Sequence, residues 1–391
     1  MTTMNSEQFT KRYYIDRRKN DSVKWQRGIK MNCLPMWIAD MDFKPEERVI
    51  DALKTFIEKG DYGYVNLPKD YYQVFTDFHE RRHKIRYEQE WIRFTKGAID
   101  AMYQIIYSLT EENDGILIAA PAYPPFYSTV KESGRKLFVT DMIDNDGYFT
   151  FDYKDIEKKF SKGKTRMFML CSPHNPLGRV FKKGELEELF ELCRKYDVLV
   201  CADEVHADIV LPDQEFLPAL SFEKYRRNIV SISAVAKTFS LAVFSHCHVI
   251  IPNASLRRKF IAYQRHTHTG SVNVANALST YYCFKYGDEW LDALNNVIDE
   301  NYAYFRKELS PYLKMTSLEG TYLLFVDLGP YAEGSTAFET LIKECQILAN
   351  AGESFAPGYE TWARINLATS MANIRKAVRS LKKFIKEKQA V

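Results

Sequence analysis

Short apolar runs alternate with longer amphipathic segments over most of the chain. Each run has four or five residues, the length of a buried strand. Residues 183–195, between two of the runs, repeat apolar side chains at intervals of three and four, which is typical of a helix with one buried face. This alternation predicts an α/β fold with a mostly parallel central sheet flanked by helices. The apolar runs are residues 116–119, 136–140, 166–170, 198–201, 229–232 and 248–251.

The pattern changes after about residue 285. A long amphipathic segment, residues 290–309, is followed by the strand-like run 321–327. The change predicts a second, smaller domain that also mixes helices and strands.

Composition excludes several classes of protein. The 391 residues are 46% hydrophobic, enough for a large core, and the formal net charge is only +3. No basic run is interleaved with aromatic residues, which argues against a nucleic-acid partner. The first residues lack a signal-peptide core, and no stretch of about 18 apolar residues could cross a membrane, so we expect a cytoplasmic protein without a membrane partner.

Seven cysteines are scattered along the chain without a C-x-x-C pair. This argues against a disulfide framework and against a zinc site, so we expect reduced, buried thiols and no metal. The histidines on either side of Cys247 alternate as side chains on a strand do, and no carboxylate completes a ligand set there.

Polar side chains follow four of the apolar runs. They are Tyr123, Asn175, Asp203 and Lys237. Because parallel strands place their carboxyl ends at one edge of the sheet, we expect these four side chains to lie close together.

Taken singly, each of these residues has an ordinary structural role. Tyr123 could be a packed loop aromatic, Asn175 a turn former before proline, and Asp203 a helix cap. Together they match the needs of pyridoxal 5′-phosphate. A buried Lys237 favours the neutral amine that condenses with an aldehyde, and a carboxylate, an amide and an aromatic ring can hold a pyridine nitrogen, a phenolic oxygen and a ring face.

The cofactor also carries a phosphate. Gly97, Ala98 and Ile99 open an amphipathic segment, where a glycine permits close backbone approach and a helix N-terminus offers free N–H groups. These three residues are the predicted phosphate site.

Several motifs, in one consistent order along the chain, resemble those of the fold-type I pyridoxal-phosphate enzymes. These enzymes form the aspartate aminotransferase superfamily, and the resemblance is greatest to the cystathionine β-lyase or C–S lyase branch. The matching segments are residues 36–43 (MWIADMDF), 62–64 (YGY), 121–126 (PAYPPF), 172–180 (SPHNPLGRV), 203–206 (DEVH), 237–239 (KTF), 320–324 (GTYLL) and 363–367 (ARINL).

This resemblance implies roles for the catalytic and cofactor-binding residues. Lys237 would bind the cofactor and move the Cα proton, and Asp203 would pair with the pyridine nitrogen. Asn175 and His206 would lie near the phenolic oxygen, and Tyr123 would stack on the ring.

It also implies a substrate site and a dimer. Arg364 would bind the carboxylate of an amino-acid substrate, helped by Asn175 and by close backbone approach at Ala39. Tyr64 resembles a tyrosine that reaches the cofactor phosphate of the neighbouring subunit, which implies a homodimer with shared active sites.

The resemblance further implies a large cofactor-binding domain over residues 46–285 and a small domain built from both chain ends, residues 1–45 and 286–391. The chain departs from the family pattern at Ala236, where serine or threonine is usual, at Val243, where the branch commonly has glycine, and at Ser245, where aminotransferases hold the phosphate with arginine. These departures concern the phosphate site.

The function implied is β-elimination that cleaves the C–S bond of cystathionine or a cysteine S-conjugate and gives a thiol, pyruvate and ammonia. An aminotransferase would share every cofactor contact and is the alternative. A protein of this fold without catalytic activity is a third reading. The residues alone do not decide between elimination and transamination, and they do not specify the preferred sulfur substrate.

Overall fold

A computed structural model describes residues 4–390, and these residues form thirteen α-helices and fifteen β-strands. The helices are α1 Ser6–Tyr13, α2 Val23–Lys30, α3 Glu47–Glu58, α4 Tyr71–His83, α5 Ala98–Leu109, α6 Pro124–Glu132, α7 Tyr153–Phe160, α8 Lys183–Lys195, α9 Ala254–Thr267, α10 Val274–Tyr286, α11 Asp288–Leu309, α12 Ala337–Lys343 and α13 Met371–Gln389. The strands are β1 Leu34–Pro35, β2 Ile92–Thr95, β3 Gly115–Ala120, β4 Lys136–Asp141, β5 Ile143–Asn145, β6 Tyr148–Thr150, β7 Thr165–Cys171, β8 Leu199–Asp203, β9 Ile229–Ser233, β10 Cys247–Ile250, β11 Lys314–Met315, β12 Leu323–Asp327, β13 Ile347–Leu348, β14 Asn350–Ala351 and β15 Trp362–Asn366.

The central sheet has seven strands in the order β2-β10-β9-β8-β7-β3-β4. Neighbours pair in parallel from β9 to β4, whereas β10 is antiparallel to both β9 and β2. All six predicted apolar runs fall on strands of this sheet. The predicted α/β fold with a mostly parallel sheet is therefore confirmed.

Both faces of this sheet are buried. Along β3, Leu117 packs into one hydrophobic core, and Ile116 and Ile118 pack into a second core on the opposite face. The first core includes buried residues of α4, α8 and α10, and the second includes residues of α5 and α6. Burial on both faces explains why the strands read as continuous apolar runs instead of alternating patterns.

A second sheet of four antiparallel strands, in the order β11-β12-β15-β14, is built from the last third of the chain. The N-terminal strand β1 pairs in parallel with β13, and α1 packs against α11. The N-terminal segment therefore contacts C-terminal elements. The domain boundaries at residues 45/46 and 285/286 stay a prediction.

Two features of the central sheet differ from the sequence-based expectation. Strand β2 was not expected, because Arg93 interrupts its short apolar pattern. Strand β10 runs against its neighbours, which the apolar run alone does not reveal. All seven cysteines are buried free thiols. No helix in residues 4–390 combines the length and apolar character needed to cross a membrane.

Candidate active site

A cavity of about 360 Å³ lies at the edge of the central sheet where the parallel strands end. Nine of the eleven site residues predicted from the sequence line it. Segments that follow β2, β3, β7, β8 and β9 supply most of them, as expected for the carboxyl edge of an open α/β sheet. The nine are Ala39, Gly97, Ala98, Ile99, Tyr123, Asn175, Asp203, His206 and Lys237.

Lys237 lies in the turn after β9 and is partly buried. Its Nζ donates a hydrogen bond of 2.9 Å to the main-chain oxygen of Ala39. Burial lowers the pKa of the Lys237 amine, and the nearby Arg364 guanidinium lowers it further. The amine is therefore biased toward its neutral, nucleophilic form.

Asp203 ends β8, and only 4% of its surface is exposed. Its Oδ1 accepts a hydrogen bond of 3.2 Å from the main-chain N–H of Val205. Burial raises the pKa of this carboxyl to about 6, although that hydrogen bond and the positive charge of Lys237 act in the opposite direction. A buried carboxylate with so little compensation is suited to a cationic N–H donor such as a protonated pyridine nitrogen.

Arg364, on β15, is buried without a carboxylate partner among its hydrogen bonds. Nη1 donates to Oδ1 of Asn175 at 2.8 Å, and Nη2 donates to Oδ1 of Asn350 at 2.7 Å and to the main-chain oxygen of Trp37 at 3.2 Å. The guanidinium carbon lies 4.9 Å from the centre of the Phe355 ring. Burial lowers the pKa of Arg364 to about 10, so the side chain stays cationic at neutral pH. Its Nε has no hydrogen-bond partner, which fits an anionic ligand.

His206 and Tyr123 are uncharged side chains of the cavity wall. Burial lowers the pKa of His206 to about 3, and its Nδ1 has no hydrogen-bond partner. Tyr123 is the N-cap residue of α6, and burial raises the pKa of its phenol. At neutral pH, the cavity thus offers an imidazole and a phenol as neutral hydrogen-bonding groups.

The N-terminus of α5 forms one end of the cavity. Gly97 is its N-cap residue, and no side chain caps the helix. A Cβ added to Gly97 would lie 2.6 Å from Oγ of Ser245, so a larger residue would crowd this hydroxyl. The first N–H groups of the helix are available to an anion. This end of the cavity is suited to a phosphate.

Taken together, these groups fit pyridoxal phosphate. The buried carboxyl of Asp203, the unpartnered nitrogens of His206 and Arg364, and the glycine-flanked helix N-terminus each lack a partner that this cofactor and its substrate would supply. In the described part of the chain, no group of three or more His, Cys, Asp or Glu side chains could hold a metal ion.

The sequence model of the protein family aminotransferase class I and II matches residues 38–381 of the chain. The chain belongs to this family. Cystathionine β-lyase PatB of Bacillus subtilis (strain 168) is 30% identical over 377 residues, which are 94% of this chain and 97% of PatB. The crystal structure of cystalysin from Treponema denticola, which contains pyridoxal 5′-phosphate, has a TM-score of 0.90 and 29% identity and covers 95% of this chain and 98% of its own. A pyridoxal-phosphate-bound protein of Clostridium difficile 630 that is taken to be an aminotransferase has a TM-score of 0.89 and 32% identity, with the same coverage.

These similarities confirm the predicted resemblance to the fold-type I pyridoxal-phosphate enzymes near the C–S lyase branch. The individual roles of the predicted site residues remain predictions. Two of those residues do not line the cavity. Arg364 reaches it through Asn175, to which it is hydrogen-bonded. Tyr64 is fully exposed in the loop between α3 and α4.

Sequence reasoning missed other residues of this aminotransferase-family cavity. Ser245 precedes β10, and because β10 is antiparallel its first residue lies at the edge where the parallel strands end. The residues that follow each strand do not include Ser245, and only the family resemblance pointed to this position at the phosphate site. Other lining residues that the sequence did not predict as site residues are Lys96, Asp100, Met102, Cys171, Val205, Ala234, Ala242 and His246.

Proposed function

We propose that this protein is a pyridoxal-phosphate-dependent carbon–sulfur lyase. It cleaves the Cβ–S bond of cystathionine or of a cysteine S-conjugate and releases a thiol, pyruvate and ammonia. The observation that carries the proposal is a single cavity that combines the amine of Lys237 with the buried carboxyl of Asp203. The 30% identity to cystathionine β-lyase PatB over nearly the whole chain supports the choice of reaction.

The cofactor site is divided among several elements of the central sheet. Gly97, Ala98 and Ile99 hold the phosphate, and Asp203 holds the ring nitrogen in its protonated form. Neutral donors, Asn175 and His206, contact the phenolic oxygen, and Tyr123 covers the ring face. When bound, pyridoxal phosphate supplies an electron sink that stabilises negative charge on the Cα of the substrate.

The substrate is an α-amino acid held by its carboxylate. Arg364 binds that carboxylate with its unpartnered Nε and with a terminal nitrogen, a planar two-point contact that a lysine cannot make. Asn175 orients the guanidinium, and the backbone at Ala39 lies beside the same carboxylate. This arrangement fixes the Cα–H bond relative to the catalytic amine.

Proton transfer is the task of Lys237. As a neutral amine it accepts the Cα proton, and its lowered pKa favours this neutral form. A thiolate then leaves readily because the pKa of a thiol is about 8.5. The protonated Lys237 or the phenol of Tyr123 donates a proton to the departing sulfur.

We further propose that the protein acts as a cytoplasmic homodimer. The full exposure of Tyr64 leaves its side chain free to complete the phosphate site of a second subunit. Seven buried free thiols are compatible with a reducing compartment. Neither a nucleic acid nor a membrane is proposed as a partner.

Transamination is the alternative, favoured by the similarity to the Clostridium difficile protein. The test is incubation of the purified protein with L-cystathionine, with and without a keto acid. We expect pyruvate and free thiol without any keto acid. Product that forms only when a keto acid is supplied, in step with a new amino acid, would establish the aminotransferase. A protein that shows no cofactor absorbance after incubation with pyridoxal phosphate would instead support the non-catalytic reading.

A further inference from the structure

A chain of buried polar side chains lies directly behind the turn that carries Lys237. Oγ1 of Thr238 donates to Oδ2 of Asp208 at 2.9 Å. Oδ1 of Asp208 lies 2.7 Å from Nε2 of His83, on α4. Thr238 is completely buried, and the side chains of Asp208 and His83 are 8% and 6% exposed. Because Asn295 also donates to the main-chain oxygen of Asp208 at 3.0 Å, this residue is held on three sides.

This hydrogen bond lies between two turns that both contribute residues to the cavity. Thr238 follows Lys237 directly, and Asp208 comes two residues after His206 and five after Asp203. Among the described residues, the Thr238–Asp208 contact is the one hydrogen bond between segments 204–211 and 234–245. It therefore joins the turn of the reactive amine to the turn of the carboxyl and imidazole that line the same cavity.

We infer that Thr238 and Asp208 are positioning residues. Their hydrogen bond holds the Lys237 amine at a fixed position relative to Asp203 across the cavity. A hydrogen bond to a carboxylate is stronger than one between neutral groups and fixes the donor more tightly. His83 occupies the other carboxylate oxygen, so Asp208 cannot rotate away from Thr238. A shift of about 1 Å in a reacting group can cost about 100-fold in rate. This inference rests on the proposed function only in that Lys237 reacts with pyridoxal phosphate.

The inference is tested on the full chain after its cofactor has been removed. Pyridoxal phosphate is added, and samples are reduced with borohydride at intervals. Peptide mapping then gives the rate of fixation, which is the rate at which the cofactor becomes covalently attached to Lys237. Thr238→Val removes the donor at nearly constant volume and should slow fixation by about 10- to 100-fold. Thr238→Ser keeps the hydroxyl and should stay within about threefold of the wild type. Thr76→Val is the matched control, because Thr76 is also buried and donates to the main-chain oxygen of Tyr87, and neither residue lines the cavity.

Two further measurements separate positioning from general loosening. In a Lys237→Ala background, Thr238→Val should leave the non-covalent affinity for pyridoxal phosphate within about twofold, since the phosphate and ring contacts do not involve the hydroxyl. Asp208→Ala should slow fixation as Thr238→Val does, and the double variant should be no slower than the slower single variant. Asp208→Ala also keeps the test valid if thermal unfolding shows that Thr238→Val does not fold.

The inference is overturned if folded Thr238→Val fixes the cofactor within twofold of the wild-type rate, if Thr238→Ser is slowed equally, or if Thr76→Val is slowed as much. Fixation needs no sulfur substrate. A wild-type protein that fixes pyridoxal phosphate at Lys237 but releases no thiol from L-cystathionine refutes the proposed reaction and leaves this inference standing. If the wild-type protein cleaves L-cystathionine and Thr238→Val fixes the cofactor at the wild-type rate, the proposed reaction stands and this inference is refuted.

Discussion

Replacing Asp203 with asparagine should have opposite effects on stability and on activity. The substitution removes a buried charge but keeps an oxygen to accept the N–H of Val205. Burial raises the pKa of the Asp203 carboxyl from 3.8 to about 6. The folded protein therefore holds this proton more tightly than the unfolded chain does. As pH rises from about 4 through 6, the Asp203 carboxyl loses its proton first in the unfolded chain. The free energy of unfolding therefore falls by about 3 kcal/mol.

Asparagine cannot ionise, so Asp203→Asn does not lose this stability. The buried amide has a cost of its own, but that cost does not vary with pH. Relative to the wild type, the free energy of unfolding of cofactor-free Asp203→Asn should therefore rise by about 3 kcal/mol between pH 4 and pH 8. For 391 residues this corresponds to about 4 °C in melting temperature. Thermal unfolding of both proteins across this pH range measures the difference in stability between them. A difference that stays constant with pH would refute the reasoning.

Glu204→Gln provides the matched control for activity. Glu204 is also buried, burial raises the pKa of its carboxyl to about 7, and its oxygens accept from the N–H of Ala219 and the hydroxyl of Ser231. It does not line the cavity. Glu204→Gln should thus show a similar pH-dependent gain in stability and retain turnover. Asp203→Asn should lose most turnover, because an amide cannot keep the ring nitrogen protonated. Equal losses of activity in the two folded variants would contradict the role of Asp203.

Three other predictions concern the remaining site residues. Lys237→Ala should abolish turnover, and borohydride reduction of the wild type should label Lys237; a label on another lysine contradicts the assignment. Arg364→Lys should raise KM and lower kcat/KM by about 10- to 100-fold, because one of two charged hydrogen bonds to the carboxylate is lost; an unchanged KM in steady-state kinetics would exclude carboxylate binding there. Mixing inactive Tyr64→Ala with inactive Lys237→Ala should restore some activity through hybrid dimers, and no recovery despite demonstrated subunit exchange argues against a shared site.

The sequence predicts the central strands well because they are buried on both faces. An uninterrupted apolar run such as 116–119 has few alternatives to a central strand, and helix α8 is found at the predicted residues 183–195. Strand direction is harder to predict, since the apolar run of β10 would read the same in either orientation. The strand pattern alone therefore does not place Ser245 at the cavity edge, and only the family resemblance indicated it.

The contacts that hold Arg364 show a different limit. Arg364 was predicted from its motif, but its acceptors Asn350 and Trp37 were not. Trp37 lies near the other end of the chain, and Asn350 faces Arg364 only because β14 pairs with β15. An asparagine or a main-chain oxygen has no periodic pattern that points to one arginine. The same holds for Asp208, which lies two residues beyond the motif 203–206 and contacts Thr238 only through the fold. Residue types that carry chemistry can thus be predicted from strand ends, whereas their supporting hydrogen bonds require the tertiary structure.

The hydrogen bond between Arg364 and Asn175 connects the two largest sheets of the molecule. Arg364 belongs to β15 of the four-stranded sheet, and Asn175 follows β7 of the seven-stranded sheet. An amino-acid carboxylate bound at this guanidinium would therefore restrain the relative motion of both sheets. Amide hydrogen exchange in residues 350–366 and 171–178 should slow when such a ligand is added, whereas the corresponding amine without a carboxylate should leave it unchanged. Substrate recognition and the rigidity of the contact between these two sheets would then depend on the same side chain.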